Sequence, residues 1–96
     1  MGHQGCGAVT AAVQNRDLDG PATHSHVDSL IAAIRPAVLM ATQNGGELLD
    51  QSIRENARLV SQQIASAPPI MARLGELGVQ VVPAYCALST GEINWI

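Results

Sequence analysis

The chain has 96 residues, 47% of them hydrophobic and only 2% aromatic, with a formal net charge of −3. It has no Lys and five scattered Arg, so it lacks the basic surface that binding to a nucleic-acid backbone requires. Because no apolar run reaches transmembrane length and no leader precedes a cleavage site, we expect one cytoplasmic domain over residues 1–96 with no membrane partner.

The first predicted helix covers residues 7–14, and the residues before it form a candidate half of a zinc site. His3 and Cys6 are separated by two residues in a glycine-rich stretch. An imidazole nitrogen and a thiolate both bind zinc well, and the dipole of the following helix favours the ionised thiol. Catalytic zinc needs three protein ligands and structural zinc needs four. The motif is therefore incomplete by itself.

Two longer helices are predicted in the middle of the chain. After a polar loop over residues 15–26, the second helix begins near Ser25, a favourable N-cap residue, and Pro36 predicts a break or kink in it. The third helix, over residues 47–66, is indicated by an apolar stripe and by ion pairs at helical spacing on its surface. The stripe consists of Leu49, Ile53, Ala57, Val60 and Ile64, and the pairs are Asp50–Arg54 and Glu55–Arg58.

The last third of the chain changes from helical to extended periodicity. Pro68 and Pro69 start a short helix that Gly78 closes. Residues 79–88 are apolar on both alternating faces, which is typical of a strand buried on two sides, and residues 93–96 form a second strand after a turn. A lone two-stranded ribbon is not stable, so this hairpin needs neighbours that the chain does not encode.

Further candidate ligands are weaker. His24 and His26 lie two residues apart in the polar loop, where solvated histidines are the simpler interpretation. Cys86 is interpreted as a buried thiol of the strand, and two cysteines do not make a disulfide framework. Asp17 and Asp19 flank a turn and are interpreted as solvated.

Taken in order, these segments resemble the β-class carbonic anhydrases. The resemblance rests on residues 1–8, 53–56 and 68–69, and on three segments of the tail: 78–82, 84–85 and 90–96. It covers nearly the whole chain but only the C-terminal half of the family's domain. It implies an α/β fold, assembly into dimers or higher oligomers, and zinc bound by two Cys and one His for the interconversion of CO₂ and bicarbonate.

By this resemblance His3 and Cys6 correspond to the His ligand and the second Cys ligand. The family's first Cys lies in a Cys-x-Asp-x-Arg segment, with an Asp–Arg dyad beside the metal, and residues 1–96 contain no such segment. Pro83 and Cys86 also stand where the family usually has Gly and Tyr. We therefore expect an α-rich partial domain of about four helices plus a C-terminal two-stranded hairpin, whose sheet and core are completed by oligomerisation.

Three states of the metal motif stay open at this point. The motif binds no metal, or two chains share a closed Cys₂His₂ site, or a complementing chain finishes a catalytic site. The expected function is a carbonic-anhydrase-like homo-oligomer with an incomplete Zn²⁺ site, little or no CO₂ hydration by itself and no assigned catalytic residue. The alternative is a zinc-dependent carbonic anhydrase or related metal-assisted hydrolase whose site another chain completes.

Overall fold

A computed structural model describes residues 1–17, 26–67 and 69–96, and within these ranges it contains four helices and three short strands. This confirms the predicted α-rich α/β class. None of the described helices combines the length and the apolarity needed to cross a bilayer. In chain order the elements are β1 (Gly2–His3), α1 (Gly7–Gln14), α2 (Val27–Asn44), α3 (Leu48–Ala65), α4 (Ile70–Glu76), β2 (Ala84–Cys86) and β3 (Ile93–Trp95).

The three strands form one sheet in the order β1-β2-β3. Strands β2 and β3 are the predicted antiparallel hairpin, and β1 adds a third strand, parallel to β2, that the sequence did not indicate. Beyond β1, the Gln4 N–H donates to the Cys86 carbonyl at 2.9 Å, and the Gln4 side chain accepts from the Ser89 N–H at 3.1 Å. These bonds attach the start of the chain to its tail.

The core lies between the first three helices and one face of the sheet. Helix α3 crosses that face so closely that a Cβ on Gly2 would lie 2.8 Å from Ile53 Cγ2 and 3.1 Å from the Ile53 carbonyl oxygen. Only glycine therefore fits at this crossing without a shift of the helix. The buried cluster consists of Val9, Ala12, Ile31, Ile34, Val38, Ile53 and Tyr85.

The ends of the predicted helices are largely confirmed, with one correction. Helix α3 begins after Glu47, whose carboxylate accepts from the N–H groups of Leu49 and Asp50 at 3.1 and 2.6 Å. Of the break or kink predicted at Pro36, the break is wrong, because α2 continues through this residue. Pro36 and Ala32 lie on the exposed side of α2, so the Ala32 carbonyl, which receives no N–H from proline, is on the side of the helix that faces solvent. The predicted N-cap Ser25 lies outside the described residues.

The long strand predicted over residues 79–88 is shorter than expected. Only Ala84–Cys86 is extended and paired, and residues 79–83 have no regular structure. Strand β1 has only two residues, so the β1–β2 ladder has only two residue pairs. Val79, Val81 and Val82, which precede β2, pair with no strand among the described residues. Val79 and Val82 are about half exposed rather than buried. The C-terminal part of the α3 stripe, Val60 and Ile64, is exposed as well.

Candidate metal centre

The two residues of the predicted zinc motif lie at the junction of β1 and α1. His3 ends β1 and is exposed, whereas Cys6 occupies the N-cap position of α1 and is half-buried against the core cluster. Gly5, with φ of +68°, makes the turn between them in a left-handed conformation that favours glycine. The Cys6 thiol makes no capping hydrogen bond, and the Cys6 carbonyl accepts from the N–H and the hydroxyl of Thr10.

The described part of one chain does not fit a complete zinc site. Within it, no group of three or more His, Cys, Asp or Glu side chains lies close enough together to hold a metal ion. His26 is exposed beside the start of α2 and Asp17 is exposed after α1, while His24 and Asp19 lie outside the described residues. The assignment of His3 and Cys6 as zinc ligands therefore stays a prediction.

Cys86 differs from its predicted role as a buried thiol. It is a free cysteine, only partly buried, and it lies opposite His3 in the register of the parallel strands. Partners in a parallel pair point to the same face of a sheet. The structure thus places a second sulfur beside His3, at a position where the sequence alone indicated only core.

The two faces of the sheet have different surroundings. The face with Gly2 and Tyr85 packs on α3, and Arg54 Cζ lies 4.1 Å from the centre of the Tyr85 ring. We call the opposite side the open face. By strand alternation and register it carries His3, Ala84, Cys86, Ile93 and Trp95, and of these Ala84 is buried. Ile93 is 55% exposed and Trp95 is 76% exposed.

A polar cluster borders the metal motif on the covered side. Arg54 Nε donates to Asp50 Oδ2 at 2.9 Å, which confirms the predicted ion pair. A hydrogen bond with the Tyr85 hydroxyl, and then the Arg54 charge, lower the pKa of Asp50 despite partial desolvation. The same hydrogen bond, together with burial, raises the pKa of Tyr85. Sequence spacing predicted the ion pair but gave no signal for Tyr85, which comes from a distant strand.

This cluster forms one wall of a cleft of about 300 Å³ beside the turn that follows β1. The cleft is lined by Gln4, Gly5, Glu47, Leu49, Asp50, Ile53 and Tyr85. The Asp50–Arg54 pair lies within α3 and is therefore not the Asp–Arg dyad of the Cys-x-Asp-x-Arg segment.

The second predicted ion pair is also present, and Arg58 Nη1 donates to Glu55 Oε1 at 2.6 Å. Glu55 is only 8% exposed, so its carboxylate is not on the surface as expected.

The fold is an α-rich α/β domain that carries a His-x-x-Cys motif between its first strand and its first helix. A family model described as carbonic anhydrase matches residues 1–93. The chain belongs to the carbonic anhydrase family, in agreement with the β-class motifs of its sequence. No curated protein matches the chain significantly.

Proposed function

We propose that residues 1–96 form a β-class carbonic-anhydrase-like domain that assembles as a homo-oligomer and hydrates little or no CO₂ by itself. The number of metal donors carries this proposal. Of the family's three zinc ligands, only two have counterparts here, His3 and Cys6, and no group of three donors that could hold a metal is formed among the described residues.

The chemistry explains why two donors are insufficient. Zinc-dependent hydration uses a metal that lowers the pKa of its bound water, and such a site needs three protein ligands and one open position. Loss of one ligand lowers the free energy of metal binding and leaves the tetrahedral arrangement of ligands incomplete. His3 also lies on a two-residue strand at the protein surface, so the fold adds little rigidity. We therefore assign no catalytic residue.

Exposed apolar side chains support the proposed assembly. Ile93 and Trp95 on the open face, and Val79 and Val82 before β2, are all about half exposed or more. Ile93 and Trp95 share one face of the sheet, and exposed apolar side chains that lie together are typical of an interaction surface. A symmetric contact with a second copy of the chain would cover them in both partners at once.

Two measurements on the full chain test the proposal. In stopped-flow CO₂ hydration with added Zn²⁺, we expect the rate to equal the uncatalysed rate and to be unchanged in His3→Ala. Zinc-dependent hydration that disappears in this variant would refute the proposed lack of activity. In sedimentation at micromolar concentration we expect a dimer or larger species, and a monomer would refute the assembly.

A second candidate function is favoured by the cleft beside the motif. Gln4, Asp50 and Tyr85 present polar groups to a cleft of about 300 Å³, which is large enough for a small substrate. A complementing chain that supplies a Cys-x-Asp-x-Arg segment would then complete a zinc-dependent carbonic anhydrase. Hydration that appears only when such a chain is mixed with this one would support this function over the first.

A further inference from the structure

We propose that His3 and Cys86 form half of a closed metal site on the open face, and that a second copy of the chain supplies the other half. One Zn²⁺ would then join two chains through a Cys₂His₂ site. This inference rests on the proposed homo-oligomer and adds to it the ligands and the place of contact. It assigns a sulfur ligand, Cys86, outside the His3–Cys6 motif.

Sheet register brings the two donors together. His3 and Cys86 are partners in the parallel β1–β2 ladder and lie on the same face. Neighbouring strands are about 4.8 Å apart. Tetrahedral zinc with bonds of about 2.1 Å to nitrogen and 2.3 Å to sulfur holds these two atoms about 3.5 Å apart. Two side chains that lean toward each other from adjacent strands span this distance.

Both cysteines are partly buried, but their packing favours Cys86 over Cys6 as the sulfur ligand on this face. Cys6 packs against the helical core cluster from the N-cap of α1. Cys86 is only partly buried, and its strand neighbour on the same face is the exposed Ile93. A metal on the open face therefore reaches Cys86 without any displacement of the packed helix.

The donor count and the charge favour a second copy as the partner. Each chain offers two donors on this face and no nearby carboxylate completes the set in the described residues, whereas a closed zinc site needs four ligands. A two-fold axis through the metal doubles two donors to four. Two thiolates neutralise Zn²⁺, so the metal adds no net charge to an interface that also buries Ile93 and Trp95.

Such a site would be structural, since four protein ligands leave no position for water. The strands are only two or three residues long, so the open face offers little apolar area for a contact. The binding free energy of the metal would strengthen this contact. Metal binding and self-association are therefore linked, and each is expected to tighten the other.

Cobalt titration of the full, reduced chain tests the inference, because Co²⁺ reports tetrahedral geometry and thiolate ligation by its absorption. We expect one Co²⁺ per two chains, with tetrahedral d–d bands and thiolate charge-transfer bands. With Zn²⁺ we expect the dissociation constant of the dimer, measured by sedimentation, to fall at least about tenfold. One metal ion per chain, or no binding, would overturn the inference.

Matched variants identify the ligands. His3→Ala and Cys86→Ser are expected to lose the cobalt bands and the effect of Zn²⁺ on dimerisation, whereas Cys6→Ser is expected to keep both. Circular dichroism checks that each variant is folded, and Cys86→Ala serves as a second replacement. Loss in Cys6→Ser, or retention in Cys86→Ser, would overturn the assignment. A metal-independent oligomer with no cobalt binding would refute this inference while leaving the proposed assembly intact.

Discussion

In the helical layer Ile31, Val38 and Ile53 are almost completely buried, whereas on the open face Ile93 and Trp95 are mostly exposed. The same chain therefore covers one side of its sheet with its own α3, whereas Ile93 and Trp95 on the other side stay exposed. Burial of apolar area is the main favourable term in folding and in association alike. The helical layer is thus expected to determine the stability of the fold, and the open face its assembly.

The largest expected effect tests whether the helical layer determines the stability of the fold. Ile53→Ala removes a side chain that is 2% exposed, and it is expected to lower the free energy of unfolding by about 2–4 kcal/mol. Ile70→Ala, at a position that is 69% exposed, is the matched control, with an expected change below about 0.5 kcal/mol. Urea unfolding measures both. Equal losses would contradict the assignment of stability to the helical layer.

The crossing of α3 over the covered face gives the second prediction. Gly2→Ala is expected to cost about 1–3 kcal/mol, because the added Cβ meets Ile53 and must push α3 away from β1. Gly7→Ala is the control, since a Cβ there meets nothing within 4 Å at the start of α1. If thermal unfolding shows no difference between these variants, the close packing of β1 on α3 is wrong.

The open face gives the third prediction. Trp95→Glu is expected to raise the dissociation constant of the homo-oligomer at least about tenfold, because a charge replaces a large apolar contact. Leu39→Glu places the same charge at an exposed position of α2, outside the open face, and should leave association unchanged. Sedimentation compares them. Similar weakening in both variants would place the interface elsewhere.

The smallest expected effect concerns the Asp50–Tyr85 contact on the covered face. The pKa of Asp50 is lowered from 3.8, so its stabilisation is present above pH 3.8 and is lost as the pH falls through the folded-state pKa. The pKa of Tyr85 is raised from 10.0, so its stabilisation is present below pH 10.0 and is lost as the pH rises through the folded-state pKa.

Asp50→Asn should therefore flatten the dependence of the unfolding free energy on pH at both ends. Glu76→Gln is a suitable control, because both side chains of the Glu76–Arg73 ion pair are exposed, and exposed ion pairs contribute little to the free energy of unfolding. Chemical unfolding across the pH range measures the difference. An unchanged profile in Asp50→Asn would mean that the contact with Tyr85 does not stabilise the fold.

Local signals in the sequence predicted most of the helical part correctly. The bounds of α1 agree with the prediction. Glu47 directly precedes α3 and Pro69 directly precedes α4, so both helices begin within one residue of the predicted start. The prediction of a break at Pro36 was wrong because the effect of a proline depends on which side of the helix faces water. That information comes from packing and is not contained in the local pattern.

The sheet and the site could be predicted only in part. Strand β1 has two residues, too few for a periodic pattern, and its pairing with β2 joins opposite ends of the chain. Without that register, no sequence rule places Cys86 beside His3 or Tyr85 beside Asp50. The apolar run over residues 79–88 correctly indicated a need for partners, but alternation alone could not show how few of its residues would find them.

The bond between Gln4 and Ser89 closes a loop of 85 positions. Contacts this distant in sequence form slowly, because most of the chain must be ordered before they can be made. Helices α2 and α3 follow each other closely in sequence and are expected to pack first, and β1 is expected to pair with β2 later. Residues 2–4, although early in the sequence, would then reach their final positions only after residues 86–89 have been brought to them.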